Sequence, residues 1–124
     1  MVCTNKDVAM ETSVSSATKG VVISDGGPTR LIGERINPSG KKTLTEALKN
    51  GDFDLICREA TAQVEAGADI LDINVVGSGI DEISVLPQVV ERVMACVDVP
   101  LCIDINKPDA LRKTLQVYKG KPII

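Results

Sequence analysis

The residues best suited to chemistry are acids and amides that recur in one short pattern. Asp72 with Asn74, and Asp104 with Asn106, each form an Asp-x-Asn pair at the end of an apolar run. Side chains alternate along a strand, so both members of a pair lie on the same face. A carboxylate and an amide together can exchange hydrogen bonds with a flat, nitrogen-rich ring such as a 2-amino-4-oxo heterocycle. The pattern predicts a polar site for such a ring.

A third acid and amide, Glu34 and Asn37, follow an earlier apolar run. Each residue alone has a plain structural explanation: Asn106 could cap the next helix, and Glu34 could pair with Arg35 at the surface. Acid and amide at three strand ends favour a ligand site over these explanations. Oxygen-bound Mg²⁺ or Ca²⁺ stays open as an alternative ligand, but no loop has dedicated metal spacing and we expect no metal site.

The composition excludes several other chemistries. The 124 residues include no His, which excludes His-dependent nucleophile pairs, His-ligated zinc and proximal-His haem. The four cysteines are far apart in the sequence, so we expect reduced, buried thiols. A net charge of −3 and 2% aromatic residues disfavour nucleic-acid binding. No apolar run approaches the roughly 20 residues of a membrane span and no secretory signal is recognised, which predicts a cytoplasmic protein.

Strand and helix patterns alternate from Leu31 onward. Apolar runs predict strands over residues 31–34, 70–74 and 101–105, and residues 122–124 predict the start of a fourth. This order predicts a parallel sheet, in which the carboxyl ends of the strands carry the ligand site.

Helices are predicted between these strands. Thr43 has capping-box spacing, Asp52 could cap a second helix, Pro87 is placed in the first turn of a third, and Pro108 begins a fourth. The fourth helix is predicted to turn these residues inward: Ala110, Leu111, Leu115 and Tyr118.

Two architectures fit this order of elements. One is a small doubly wound sheet, and the other is the first half of a TIM (β/α)8 barrel, which takes about 250 residues. The sequence stops on an apolar strand, which favours the half barrel, from its first strand to the start of its fourth. Residues 1–20 then form a flexible leader, residues 21–30 a short strand and turn, and residues 31–124 the half barrel.

Three motifs occur in order: L-I-G-E-R-I-N at residues 31–37, G-A-D-I-L-D-I-N at 67–74 and P-L-C-I-D at 100–104. Together they resemble the pterin-binding domain of methyltetrahydrofolate–corrinoid methyltransferases, which also occurs in cobalamin-dependent methionine synthase. The domain is related to dihydropteroate synthase. The resemblance implies a TIM barrel that binds the pterin ring of a folate at its carboxyl face.

The resemblance also implies the substrates and the roles of single residues. A methyl group would pass between N5 of tetrahydrofolate (as methyltetrahydrofolate when loaded) and the cobalt of cobalamin on a partner corrinoid protein. Asp104 matches the aspartate that hydrogen-bonds the pterin, and Glu34 matches the glutamate of the G-E-R-x-N motif. Further matches at the mouth of the site are Asn37, Asp72 and Asn74, with Gly40, Lys41 and Lys42 beside the folate. Catalytic residues are expected beyond Ile124, so the residues present orient the ring.

Two other functions stay open. Dihydropteroate synthase is one, although the Glu-Arg pair in the first motif favours the methyltransferase branch. The other is a non-catalytic half-barrel fragment or a small doubly wound binding module. Because an open strand edge seeks a partner, a homodimer is expected.

Overall fold

The computed structural model describes residues 10–124 and shows a mixed α/β fold. A parallel sheet has the strand order β3-β4-β5, and the antiparallel hairpin β1-β2 forms a second, two-stranded sheet. The elements are β1 (Glu11–Ser15), β2 (Gly20–Ser24), β3 (Ile32–Ile36), α1 (Lys42–Asn50), α2 (Asp54–Glu65), β4 (Ile70–Ile73), α3 (Glu82–Cys96), β5 (Leu101–Ile103) and α4 (Pro108–Val117).

The sheet is parallel, as predicted, and its two faces differ in what covers them. Leu71 and Ile73 of β4 and Ile103 of β5 join a core cluster with residues from α1, α2, α3 and α4. The opposite face, called here the inner face, carries Ile70, which packs on Val14 of the hairpin. No helix residue belongs to that second cluster within the described part of the chain. Helices on one face only are compatible with part of a barrel, whereas a doubly wound sheet has helices on both faces.

The hairpin overturns part of the predicted leader. Residues Glu11–Ser15 pair in antiparallel register with Gly20–Ser24, so the prediction of a flexible leader is wrong from residue 11 onward. The short strand predicted within residues 21–30 corresponds to β2, which pairs with β1. Val14 is only 3% exposed, so burial against the sheet stabilises a strand whose other residues are polar. The first nine residues of the predicted leader lie outside the described residues.

Ile123 lies where the start of a fourth strand was predicted. It forms an isolated parallel bridge with Cys102. Its N–H donates to the Leu101 carbonyl at 3.0 Å, and its own carbonyl accepts from the Ile103 N–H at 2.8 Å. Ile123 therefore extends the parallel sheet at the edge formed by β5.

Most helix boundaries follow the predictions, with shifts at the amino ends. Gly51 ends α1 with a φ of +71°, and Pro108 is the first residue of α4. The predicted caps are wrong: Lys41 rather than Thr43 precedes α1, and α2 follows Phe53 rather than Asp52. No helix within residues 10–124 is long and apolar enough to cross a membrane.

Two predictions about helix interiors are wrong. Pro87 lies in the second turn of α3, because that helix begins earlier, at Glu82. In α4, Leu115 is 43% exposed, and Thr114 is buried in its place. The Thr114 hydroxyl donates to the Ala110 carbonyl at 2.8 Å, so this polar side chain is satisfied in the core.

The cysteines are only partly as predicted. Cys57 of α2 and Cys96 of α3 form a disulfide, with their Cα atoms 5.9 Å apart. The prediction of reduced thiols is therefore wrong for this pair. The two residues are 39 positions apart, and only the packing of α2 on α3 brings them together. Cys102 is a free, half-buried thiol, and Cys3 lies outside the described residues.

Candidate functional site

The three acids of the sequence motifs approach one another on the inner face, at the carboxyl end of the sheet. Asp72 lies between Leu71 and Ile73, which both face the helices, so its side chain takes the opposite face. Asp104 follows β5 directly, and Glu34 lies on β3. Asp72 is partly buried, while Glu34 and Asp104 are exposed. We call these three residues the acidic cluster.

The pKa of Asp72, the central member of the cluster, is raised. Burial raises the pKa of Asp72 above its usual value of 3.8, and the neighbouring charges of Asp104 and Glu34 raise this pKa further. A hydrogen bond from the Cys102 thiol opposes this rise. Burial and the carboxylate of Asp72 in turn raise the pKa of Cys102 to about 12. Carboxylates that repel each other in this way favour a ligand that brings hydrogen-bond donors.

The predicted amides do not join the cluster through their carbonyl groups. Asn37 Oδ1 accepts from the Ser39 N–H at 3.0 Å, and Asn74 Oδ1 accepts from the Val76 N–H at 2.8 Å. Both amides thus close turns in their own loops. Asn106 is exposed and does not cap α4, since Lys107 is the capping residue and makes no side-chain capping bond.

The loop residues predicted to lie beside the folate shape a separate groove at the same end of the sheet. Gly40 has a φ of +69° in a turn that is closed by the Lys41 N–H donating to the Pro38 carbonyl at 2.9 Å. Lys41 Nζ donates to the Arg35 carbonyl at 2.8 Å, so this ammonium supports the end of β3. With Lys42, these residues line a shallow groove of about 490 Å³ whose other side is formed by residues 76–78.

The structure places two further groups near the site that were not predicted as site residues. Cys102 precedes Asp104 by two positions, and strand alternation alone could have placed it on the inner face. Glu82 is 6% exposed, and Lys107 Nζ lies 3.1 Å from its Oε2. This ion pair joins the first residue of α3 to the residue that precedes α4. No sequence signal predicts it, because an acid in the first turn of a helix normally lies at the surface.

A second cavity, of about 380 Å³, lies at the opposite end of the molecule between the hairpin, α3 and α4. One of the two carboxylates that line it, Asp98, accepts hydrogen bonds from the hydroxyls of Ser16 and Thr18, which lower the pKa of Asp98. Through these hydrogen bonds within the chain, Asp98 stabilises the turn between β1 and β2. Within residues 10–124, no three potential ligands converge closely enough to hold a metal ion.

A one-sided α/β sheet with an acidic cluster at the carboxyl ends of its strands has the arrangement of the α/β enzymes that bind ligands there. The sequence profile of the family described as "Pterin binding enzyme" matches residues 33–124. This match covers well over half of the chain, so the chain belongs to the pterin binding enzyme family.

The curated relatives are much longer than this chain. It is 27% identical over 116 residues to a methionine synthase of Mycobacterium tuberculosis, a match that covers 94% of this chain and 10% of that protein. It is 30% identical over 94 residues to a methylcorrinoid:tetrahydrofolate methyltransferase of Eubacterium limosum, covering 76% of this chain and 34% of that protein. The chain thus spans about a tenth of the first relative and about a third of the second.

Proposed function

We propose that this chain is the first half of a pterin-binding (β/α)8 barrel that transfers a methyl group between N5 of tetrahydrofolate and a corrinoid protein. The observation that carries the proposal is the acidic cluster, which brings Glu34, Asp72 and Asp104 together at the carboxyl ends of adjacent parallel strands. Membership of the pterin binding enzyme family supports a pterin as the ring that the cluster would bind.

The chemistry of the cluster suits a pterin. A 2-amino-4-oxo ring presents an exocyclic NH2 and a ring N–H on one edge, and carboxylates accept from both. Such donors would offset the repulsion that raises the pKa of Asp72. Asp104 is the principal acceptor in this proposal, and Asp72 and Glu34 complete the acidic wall of the site.

The proposed roles are binding and orientation. N5 of a folate is a poor leaving group unless positive charge on it is supported, so methyl transfer needs a proton or hydrogen-bond donor at N5. Glu34, Asp72 and Asp104 hold the ring so that N5 faces the reaction partner. A cobalamin carried by the partner corrinoid protein would supply the cobalt that gives or accepts the methyl group.

The barrel, the partner and the assembly belong to the same proposal. The four helices of residues 10–124 lie on one face of the sheet, and β3, β4 and β5 are adjacent in chain order. Both features favour a barrel over a doubly wound module. The corrinoid partner is supported by the methylcorrinoid:tetrahydrofolate methyltransferase among the relatives. A homodimer and a cytoplasmic location stay predictions from the sequence.

Dihydropteroate synthesis is the nearest alternative within the family. The relatives named above are a methionine synthase and a methyltransferase, which favours methyl transfer. Two assays on the full-length protein separate the activities: methyl transfer from methyltetrahydrofolate to a corrinoid, and condensation of the pterin pyrophosphate with p-aminobenzoate. We expect product in the first assay only, and product in the second alone would refute the proposal.

The binding step can be tested directly by calorimetry of the full-length protein with methyltetrahydrofolate. Replacing Asp104 by Ala should weaken binding by about 10-fold to 100-fold, the usual effect of losing a hydrogen bond to a charged group. Asp109→Ala is a matched control, because Asp109 is exposed on α4 and pairs with Arg112 of the same helix. Equal affinity in wild type and Asp104→Ala would argue strongly against the proposed site.

A further inference from the structure

The strand that carries Glu34 is irregular at this residue. β3 pairs Gly33 with Leu71 and then Ile36 with Ile73, so two residues of β3 stand opposite one residue of β4. This is a β-bulge, which leaves part of the backbone without its usual partner in the sheet. The bulge lies at Glu34 and Arg35, within the acidic end of the sheet.

The bulge changes which residues share a face. Gly33 faces the helices, since a Cβ placed on it would overlap the side chains of Gln63 and Leu71. Ile36 also faces the helices and is fully buried among them. In a regular strand, residues that are three positions apart take opposite faces. Without the bulge, either Ile36 would enter the polar inner face or Glu34 would enter the helix-covered core.

A side chain of α2 supplies the partner that the bulge leaves out. Gln63 Oε1 accepts from the Arg35 N–H at 3.0 Å, and Gln63 Nε2 donates to the Glu59 carbonyl at 3.2 Å. Gln63 is only 7% exposed, and both ends of its carboxamide are hydrogen-bonded. One helical turn earlier, Glu59 Oε2 lies 3.5 Å from Arg35 Nε. One face of α2 therefore binds both the backbone and the side chain of Arg35.

We infer that Gln63 is a positioning residue: by accepting the Arg35 N–H it maintains the bulge that directs Glu34 toward Asp72 and Asp104. This arrangement also requires Gly33, because only a residue without a Cβ leaves room for the Gln63 carboxamide. The inference rests on the proposed function, since it gives Glu34 a ligand to meet.

The test uses a side chain of similar volume that lacks the acceptor. Gln63→Met in the full-length protein should lower the affinity for tetrahydrofolate by about tenfold, because Glu34 is no longer held toward the ring. Amide hydrogen exchange at Arg35 should become faster in the same variant. Gln88→Met is the matched control, since Gln88 is exposed on α3 and its Nε2 also donates to a carbonyl one turn earlier, that of Ser84.

A second pair of variants separates positioning from packing. Gly33→Ala should lower the melting temperature by crowding Gln63, and Gly33→Ala combined with Gln63→Ala should recover much of this loss. Affinity should stay low in the double variant, because the Arg35 N–H still lacks its acceptor. Recovery of wild-type affinity together with stability would overturn the positioning role.

The outcomes distinguish this inference from the proposed function. A wild-type protein that does not bind tetrahydrofolate would overturn the proposed function, and the positioning of Glu34 for a pterin would fall with it. Wild-type binding with unchanged affinity in Gln63→Met would overturn only the inference. Weaker binding in Gln63→Met, with faster exchange at Arg35 and an unchanged Gln88→Met control, would support it.

Discussion

The two ends of the inner face differ sharply although they are built on the same strands. Toward the amino end, Ile70 is fully buried beneath Val14 and Val21 of the hairpin. Two positions along β4, Asp72 occupies the same face, next to Asp104. One end is apolar and covered, and the other is acidic and partly open. A step of two residues along one strand thus separates a stabilising contact from a candidate ligand contact.

This difference indicates how stability and binding are divided. The covered end gains from the removal of apolar surface from water, and the acidic end keeps charges close together at some cost. Substitutions at the covered end should therefore change the free energy of unfolding, and substitutions at the acidic end should change ligand affinity. The following predictions test this division, starting with the largest expected effect.

Ile70→Ala should remove the main contact between the sheet and the hairpin. Loss of a fully buried Ile side chain costs about 2–5 kcal/mol of unfolding free energy, depending on how far the cavity relaxes. Urea unfolding measures this loss. Val22→Ala is the control, since Val22 lies on the hairpin but is 40% exposed. Equal stability losses in the two variants would mean that the hairpin does not close this end.

Tyr118→Phe should cost about 1–3 kcal/mol, because the Leu101 N–H loses its acceptor and the Ser15 carbonyl keeps only the Lys121 N–H as a donor. The Tyr118 hydroxyl donates to the Ser15 carbonyl at 2.7 Å and accepts from the Leu101 N–H at 3.1 Å. It therefore joins α4, the hairpin and β5 through one oxygen atom. Thermal unfolding and the exchange rate of the Leu101 amide check this prediction, and a neutral result in both would contradict it.

Asp72→Asn should raise the free energy of unfolding relative to wild type at neutral pH, whereas the two preceding substitutions lower it. Because the folded-state pKa of Asp72 is raised above 3.8, the folded protein holds this proton more tightly than the unfolded chain. The contribution of Asp72 to wild-type stability should thus fall as the pH rises from 3.8 through the folded pKa, and Asp72→Asn should lack this decrease. Urea unfolding at pH 3.5 and pH 7 compares the two proteins, with Asp52→Asn at an exposed position as the control. A variant that loses stability relative to wild type on going from pH 3.5 to pH 7 would contradict the account.

The smallest expected effect concerns the reactivity of the Cys102 thiol toward alkylation, not the stability of the fold. With a pKa of about 12, only about one thiol in ten thousand is ionised at pH 8, so alkylation by iodoacetamide should be slow. Removing the neighbouring charge in Asp72→Asn should speed the reaction. Peptide mass spectrometry follows Cys102 separately from the other cysteines. Rapid alkylation in the folded wild type would show that the acidic cluster does not act on this thiol.

Local sequence patterns predicted the parallel sheet and the elements that bear the acids. Asp72 and Asp104 could be placed because Asp72 lies within a short apolar run and Asp104 directly follows one, and the run fixes both the strand and the face. The first strand of the hairpin, β1, was missed because it has one buried residue, Val14, which packs on Ile70 far along the chain. The same limit applies to the Cys57–Cys96 disulfide, since the pairing depends on how two helices pack.

The candidate site was predicted less completely than the fold. The sequence pattern predicted that acids and amides both contact the ligand. A side-chain amide can also form a hydrogen bond within its own loop, as Asn37 and Asn74 do. Gln63 was missed because a Gln on an amphipathic helix normally faces solvent. Its role depends on the bulge in β3, which no local pattern in the sequence predicts.

The most direct test of the central claim compares Asp104→Asn with Tyr118→Phe in the full-length protein. Calorimetric titration with methyltetrahydrofolate gives affinity, and urea unfolding gives stability for the same samples. We expect Asp104→Asn to lose affinity by about tenfold or more with little change in stability, and Tyr118→Phe to lose stability but keep its affinity while folded. Wild-type affinity in Asp104→Asn would contradict the claim that the acidic end of the sheet binds the pterin.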